Sequence, residues 1–221
     1  MSFTITKTID ILKNIHGLNS YSSFGEYLIK KSFTAITRVW GTDGNGGVNA
    51  SNISYTSEGY VKVAIDGATR VGGAIKSNEL YDQGSFEFVA STTAKSGVAT
   101  AFWTFFYADN GNVNHEIDIE AFNTNDVIYS SYTSESDSTH VNAKLDFDLS
   151  ANTVHKYRFD WYRGEKVEYY IDDVLVATIT ENIPTKPMEV WIGAWCPSWA
   201  GEQTNDKSEM TIYSFNYRSF N

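Results

Sequence analysis

Apolar and polar residues alternate in short runs along most of the chain. Residues 60–65 read Tyr-Val-Lys-Val-Ala-Ile, 84–90 Gly-Ser-Phe-Glu-Phe-Val-Ala, and 156–161 Lys-Tyr-Arg-Phe-Asp-Trp. A period of two over five to eight residues is the signature of a half-buried strand. Residues 167–171 and 174–179 give two more runs, joined by Asp172-Asp173, a composition suited to a tight hairpin turn. Residues 101–107, 188–195 and 210–217 add further strand-like segments, rich in the aromatic and β-branched residues that fit a pleated surface. The pattern predicts at least eight or nine short strands separated by Gly, Asn, Asp and Ser clusters. No helical stretch intervenes, so the predicted class is all-β, an antiparallel sandwich or jelly roll in a single domain spanning residues 1–221. Residues 1–30 fit two periods. Phe3, Ile5, Ile9 and Ile11 suit a strand, and Ile5, Ile9, Leu12 and Ile15 a helix ending near Gly17; the strand is the expectation, in what reads as an N-terminal extension.

Composition narrows the function classes. The 221 residues are 42% hydrophobic and 15% aromatic, well outside the disordered regime. Seventeen Lys plus Arg stand against 27 Asp plus Glu, a formal charge of −10 that repels nucleic acids and sulfated polysaccharides. No window approaches the ~20 apolar residues of a membrane-spanning helix, so no membrane partner is expected. The N-terminal Met-Ser-Phe-Thr-Ile-Thr-Lys has no basic segment leading into an apolar one, hence no recognisable secretory signal. The lone Cys196 cannot form an internal disulfide and has no His near it in sequence, so it is expected to be an inert thiol. The stretch 42–47, Thr-Asp-Gly-Asn-Gly-Gly, lacks the further ligands of a calcium loop and the Gly-Lys-Ser of a phosphate loop; it reads as a glycine-rich turn despite Asp43 and Asn45.

The most informative segment is residues 114–122, Asn-His-Glu-Ile-Asp-Ile-Glu-Ala-Phe. On a strand, Glu116, Asp118 and Glu120 project from one face and Ile117 and Ile119 from the other. An acidic outer face can be simply solvated. Three like charges in succession repel, however, and Glu and Asp are poor strand formers, so solubility alone is a weak reason to keep them together. Neighbouring carboxylates can divide acid from base, because one holds a proton that the other has lost. Glycoside hydrolysis uses that division, with one carboxylate attacking or activating water and the other protonating the departing oxygen. Sequence spacing leaves the retaining and inverting geometries both open. Aromatic residues surround the acids: Trp103 and Phe105 share one face of the preceding segment, and Trp191, Trp195 and Trp199 lie within nine residues. Such rings offer the flat apolar surface that sugar C–H bonds favour, although core packing would use them equally.

The acidic triplet, with the aromatic segment before it and the tryptophan-rich segment after it, resembles glycoside hydrolase family 16, most closely its lichenase (endo-β-1,3-1,4-glucanase) branch and xyloglucan-active relatives. The likeness runs over roughly residues 33–217. Supporting matches are residues 49–63, Tyr-Asp-Gln-Gly-Ser-Phe at 81–86, Phe-Asp-Trp at 159–161, Tyr-Ile-Asp-Asp at 170–173 and Ile-Pro-Thr-Lys-Pro-Met at 183–188. The resemblance implies a concanavalin A-like jelly roll of two curved antiparallel sheets with a concave sugar-binding cleft. It implies retaining chemistry, with Glu116 as nucleophile, Glu120 as general acid and base, and Asp118 tuning the pair. The lack of an inserted residue between Asp118 and Glu120 sets the chain apart from the laminarinase and agarase pattern. By position, Asn49, Trp103, Phe105, Tyr132 and Trp195 match sugar contacts, with Trp199 beside them.

The chain also departs from the pattern. Gly193 and Ser130 stand where lichenases carry Asn, Ala74-Ile-Lys76 replaces a Glu-x-Arg pair, and His115 replaces the commoner Asp before the nucleophile. His115 falls on the Ile117 side, which suggests a structural role. The family often holds calcium on the convex face, but residues 211–217 lack the acidic side chain expected on the last strand, so no metal and no cofactor is expected. The expected activity is endo-hydrolysis of a neutral β-glucan, most simply mixed-linkage β-1,3-1,4-glucan, by an extracellular monomer. A xyloglucan hydrolase or transglycosylase, and a non-catalytic carbohydrate-binding jelly roll, are the alternatives.

Overall fold

The computed structural model describes residues 32–39, 47–93, 95–106, 114–149, 153–202 and 206–220. The expectations for residues 1–30 and for Asp43 and Asn45 lie outside these residues. The described chain forms fourteen strands: β1 (Phe33–Ile36), β2 (Ile53–Tyr55), β3 (Val61–Asp66), β4 (Gly73–Tyr81), β5 (Gly84–Ser91), β6 (Ala99–Phe106), β7 (His115–Phe122), β8 (Asp126–Tyr132), β9 (Ser138–Lys144), β10 (Val154–Tyr162), β11 (Lys166–Ile171), β12 (Val174–Ile179), β13 (Met188–Trp195) and β14 (Lys207–Ser219). They make two seven-stranded sheets, ordered β1-β4-β13-β6-β7-β8-β9 and β12-β11-β10-β5-β14-β3-β2, with every pairing between strands antiparallel. This is the predicted all-β jelly roll.

The core lies between the sheets and is aromatic. Phe86, Phe88, Phe102, Tyr129, Tyr157, Phe159, Trp161 and Tyr169 are all fully buried. Phe86 stacks on Phe159 with centroids 4.8 Å apart, and Phe102 on Tyr157 at 4.5 Å, which ties β5 and β10 to each other and β6 to β10 across the sandwich. The buried Trp161 indole donates to the Pro184 carbonyl at 3.1 Å, so the largest core ring leaves no polar atom unpaired. Asp172 and Asp173 adopt φ of 50° and 68°, the two left-handed positions of a type I′ hairpin turn between β11 and β12.

Four strands of the first sheet were not anticipated from the pattern: the short edge strand β1, and β4, β8 and β9. The outer end of β4 and the edge strand β9 carry mainly polar side chains, and β8 buries Ser130 and Ser131 beside Tyr129, so none shows the apolar alternation of the others.

Candidate active site

The second sheet covers one face of the first; the other face is open and carries the acids. β7 is fifth of seven strands, flanked by β6 and β8. Ile117, Ile119 and Ala121 point into the core, each nearly or fully buried, and this anchoring turns Glu116, Asp118 and Glu120 outward. Burial of each Ile contributes ~1.5–3 kcal/mol, enough to hold three like charges on one strand.

Antiparallel register turns the open face into rows. Phe105, Glu116 and Tyr132 lie side by side on β6, β7 and β8, extended by Glu189 on β13 and Ser138 on β9. The next row runs Lys76, Trp191, Trp103, Asp118, Ser130, His140. The third runs Ala74, Gly193, Ala101, Glu120, Ile128, Asn142. The acids thus form a column between an aromatic half and a serine-histidine half. Val48, Ala74, Ala101, Trp103 and Trp191 form an apolar cluster of their own on this face, with Phe105 and Trp195 packed against it.

The structure brings the predicted site residues to this face. Phe105 and Tyr132 flank Glu116 and are partly exposed. Trp103 is only 8% exposed, because it stacks on Trp191 with centroids 5.5 Å apart. Trp195 meets Trp199 edge to face at 6.3 Å, and Trp199, 41% exposed, also abuts Phe122 at the end of β7. The most open rings therefore lie at Phe105, Tyr132, Trp195 and Trp199. Asn49 donates its N–H to the Gly72 carbonyl, two residues before Ala74. Its Oδ1 accepts from Ser51 N at 2.9 Å, capping the short 3-10 turn Ala50–Asn52, so that oxygen is already engaged.

Sequence reasoning did not assign Trp191, the Lys76–Glu189 ion pair at 2.6 Å or His140 to the site. For Trp191 the signal was present: it shares strand parity with Trp195. For His140 it was absent, since β9 was not recognised as a strand. His115 is buried on the core side, 6.0 Å from the Phe106 ring, and burial lowers its pKa, in line with a structural role. Cys196 is 2% exposed and burial pushes its thiol up to about 11, the property of an unreactive cysteine.

Desolvation dominates the electrostatics. It pushes Glu116 up to about 7 and Glu120 up to about 8, the latter raised further by the Glu116 charge. Asp118, 5% exposed, is raised well above the ordinary carboxylate range by burial and by both glutamates. The Asp118 carboxyl donates to Glu116, and this hydrogen bond and the Arg38 charge both favour the Glu116 carboxylate. One column therefore holds a proton donor at each of Asp118 and Glu120 and an anion at Glu116.

Two family departures acquire physical reasons. A Cβ at Gly193 would stand 2.5 Å from the Gly73 carbonyl oxygen and 2.6 Å from the Ala74 Cβ, so glycine suits the close approach of β4 and β13 at this point. Replacing Gly193 with Asn is expected to destabilise the fold by about 2 kcal/mol or more, read from the denaturant midpoint. On the last strand, residues 211–217 carry no carboxylate, and Phe215 and Tyr217 pack on the core. That stretch does not fit a calcium ion.

Comparison with known proteins agrees with this geometry. The sequence matches glycosyl hydrolases family 16 over residues 42–215. It is 30% identical over 161 residues to a beta-glucanase of Paenibacillus polymyxa, covering 69% of this chain and 67% of that one, and 30% identical over 171 residues to a beta-glucanase of Paenibacillus macerans, covering 71% of each. Among solved structures, Bacillus licheniformis beta-glucanase superimposes with a TM-score of 0.76 at 23% identity, over 86% of this chain and 92% of that one. A lichenase from a mouse hindgut metagenome gives the same TM-score at 18% identity, over 86% and 94%. The strand that carries three carboxylates thus sits inside a sequence match covering most of the protein, and the chain belongs to glycosyl hydrolase family 16.

Proposed function

We propose that this protein is an endo-acting, retaining β-glucanase of lichenase type, cleaving mixed-linkage β-1,3-1,4-glucan. The observation that carries the reading is the column Glu116, Asp118, Glu120 on the open face of β7, flanked by aromatic rings, where burial raises all three carboxyls. The beta-glucanase relatives support the substrate class.

In the first step a Glu116 carboxylate oxygen attacks the anomeric carbon while the Glu120 carboxyl gives its proton to the departing glycosidic oxygen. The C–O bond breaks and a glycosyl ester of Glu116 forms. Glu120, now a carboxylate, takes a proton from water as that water attacks the same carbon, which releases Glu116 and restores both protonation states. Asp118 keeps its proton throughout and stabilises the Glu116 anion through their hydrogen bond. Phe105, Tyr132, Trp195 and Trp199 supply apolar faces for sugar rings, Trp103 supports them from below, and Asn49 adds a polar contact. Two carboxyl groups supply all the proton and electron-pair traffic, so the reaction needs no metal or cofactor. A polymeric substrate suits an enzyme that works outside the cell, and one chain supplies every residue invoked here, so the chemistry calls on no partner subunit.

Reducing-end release with product masses from barley mixed-linkage glucan, lichenan, xyloglucan, laminarin and carboxymethylcellulose tests the reading. Cleavage confined to the first two is expected; cleavage of xyloglucan or laminarin instead would overturn it. The acid and base pair also sets a pH profile. Activity requires Glu116 ionised and Glu120 protonated, so kcat/KM should rise as pH passes about 7 and fall as it passes about 8. A profile flat from pH 5 to 9 would contradict the raised pKa values.

A further inference from the structure

One row of the open face continues well past the acids. Glu189 on β13 stands level with Phe105 and Glu116, two strands from β7 and so roughly 10 Å from Glu116 at the spacing of paired strands. Its neighbour on the other side is Leu80 of β4. A bulge makes that pairing: while β13 advances from Glu189 to Trp191, the register on β4 moves from Leu80 to Lys76, so β4 carries two residues more over the same stretch. The fully buried Ser77 holds the bulge, accepting from Val190 N and donating to the Glu79 carbonyl, each at 2.8 Å. Leu80 is thereby brought opposite Glu189 on the open face, where it is 58% exposed. Lys76 Nζ reaches Glu189 Oε1 at 2.6 Å and lies 5.7 Å from the centroid of the Trp191 ring, which is itself stacked on Trp103. The ammonium is thus held from the side by a carboxylate and from below by an indole face.

We propose that Glu189, paired with Lys76 and flanked by Leu80 and Phe105, forms an outlying subsite that grips a glucosyl unit remote from the scissile bond of a neutral β-glucan. The inference rests on the glycosidase reading for the identity of its ligand. The Lys76 and Glu189 side chains are 31% and 26% exposed, so the pair is open to a ligand from the cleft without being surrounded by water. A part-exposed ion pair adds little to stability, which leaves its place in the cleft to be explained. A carboxylate only accepts hydrogen bonds and an ammonium only donates them. Held side by side, they match two neighbouring sugar hydroxyls, one donating to Glu189 and the other accepting from Lys76. Phe105 and Leu80, on either side of Glu189 in the row, supply apolar surface for the C–H bonds of the same unit. The two charges cancel, so the subsite adds no net charge to a face that already carries three acids.

The test compares a long substrate with one too short to span the distance from Glu116. In Glu189→Gln, which keeps the shape and removes the charge, kcat/KM on barley mixed-linkage glucan is expected to fall about tenfold, while kcat/KM on an aryl glycoside of a disaccharide stays within about twofold of wild type. Lys76→Met, which keeps the stem over Trp191, should give the same split. Calorimetry supplies a readout free of turnover: in a Glu116→Gln background, Glu189→Gln should weaken binding of a mixed-linkage hexasaccharide about tenfold. An equal fall on both substrates would mean that the pair only shapes the site, and would overturn the proposal. So would wild-type kcat/KM on the polymer. If the wild-type protein cleaves no glucan, the glycosidase reading fails on its own, and calorimetry decides the subsite: hexasaccharide affinity that depends on Glu189 keeps it, while unchanged affinity or no binding overturns it.

Discussion

Glu116→Gln is expected to reduce turnover of mixed-linkage glucan by about four orders of magnitude or more, because an amide cannot form the glycosyl ester on which both halves of the reaction depend. The fold should survive and become more stable. Glu116, Asp118 and Glu120 have raised folded-state pKa values, so between the ordinary carboxylate range and about 7 to 8 the native state holds more protons than the unfolded chain. Stability then falls as pH rises through that window and is lowest, as far as these groups decide it, above pH 8. Removing one charge from the column relieves part of this cost. Glu116→Gln should gain roughly 1–3 kcal/mol at pH 8, several degrees in thermal midpoint, and much less at pH 5. Oligosaccharide binding should persist, since Phe105, Tyr132 and Trp195 are untouched. Wild-type turnover in this variant would remove Glu116 from the chemistry. A lower midpoint at pH 8 would contradict the electrostatic account.

The second large effect belongs to Glu120→Ala. Loss of the general acid should lower kcat/KM on the polymer by about 10²–10⁴, with a smaller loss on an aryl glycoside whose leaving group needs no proton. The two glutamates can be told apart by azide. In Glu120→Ala, azide can attack the glycosyl ester of Glu116 from the face water would use, restoring turnover and giving a β-glycosyl azide. In Glu116→Ala, azide can attack only in place of the nucleophile, giving the α-product. The same azide anomer from both variants would show that the roles are wrongly divided.

The physics of β7 explains why so much of the site is legible in the sequence. A strand puts alternate residues on opposite faces, so Ile117 and Ile119 in the core fix Glu116, Asp118 and Glu120 on the open side. The same rule applied to β6 and β13 gives Trp103, Phe105 and Trp195, and β12 and β13 span the residues that the alternation predicted. What was hidden depends on cross-strand register. The Trp103–Trp191 stack joins residues far apart in sequence, and the hydrogen bonds of His140 with Ser130 and Ser138 lie on β8 and β9, whose serines and edge polarity blur the period. Gly193 reads as a departure in sequence and as a close backbone approach in the structure, because the atoms a Cβ would meet, the Gly73 carbonyl and Ala74, are on another strand.

The central claim is retention by a nucleophile and an acid on one strand, acting on mixed-linkage glucan. Proton NMR of the first product released from barley mixed-linkage glucan tests it most directly, by following the anomeric signals before mutarotation equilibrates them. The β-anomer is expected to appear first, with the α-anomer growing only later, and neither signal should appear with Glu116→Gln. Initial release of the α-anomer would mean inversion, and the assignment of Glu116 as a covalent nucleophile would be wrong.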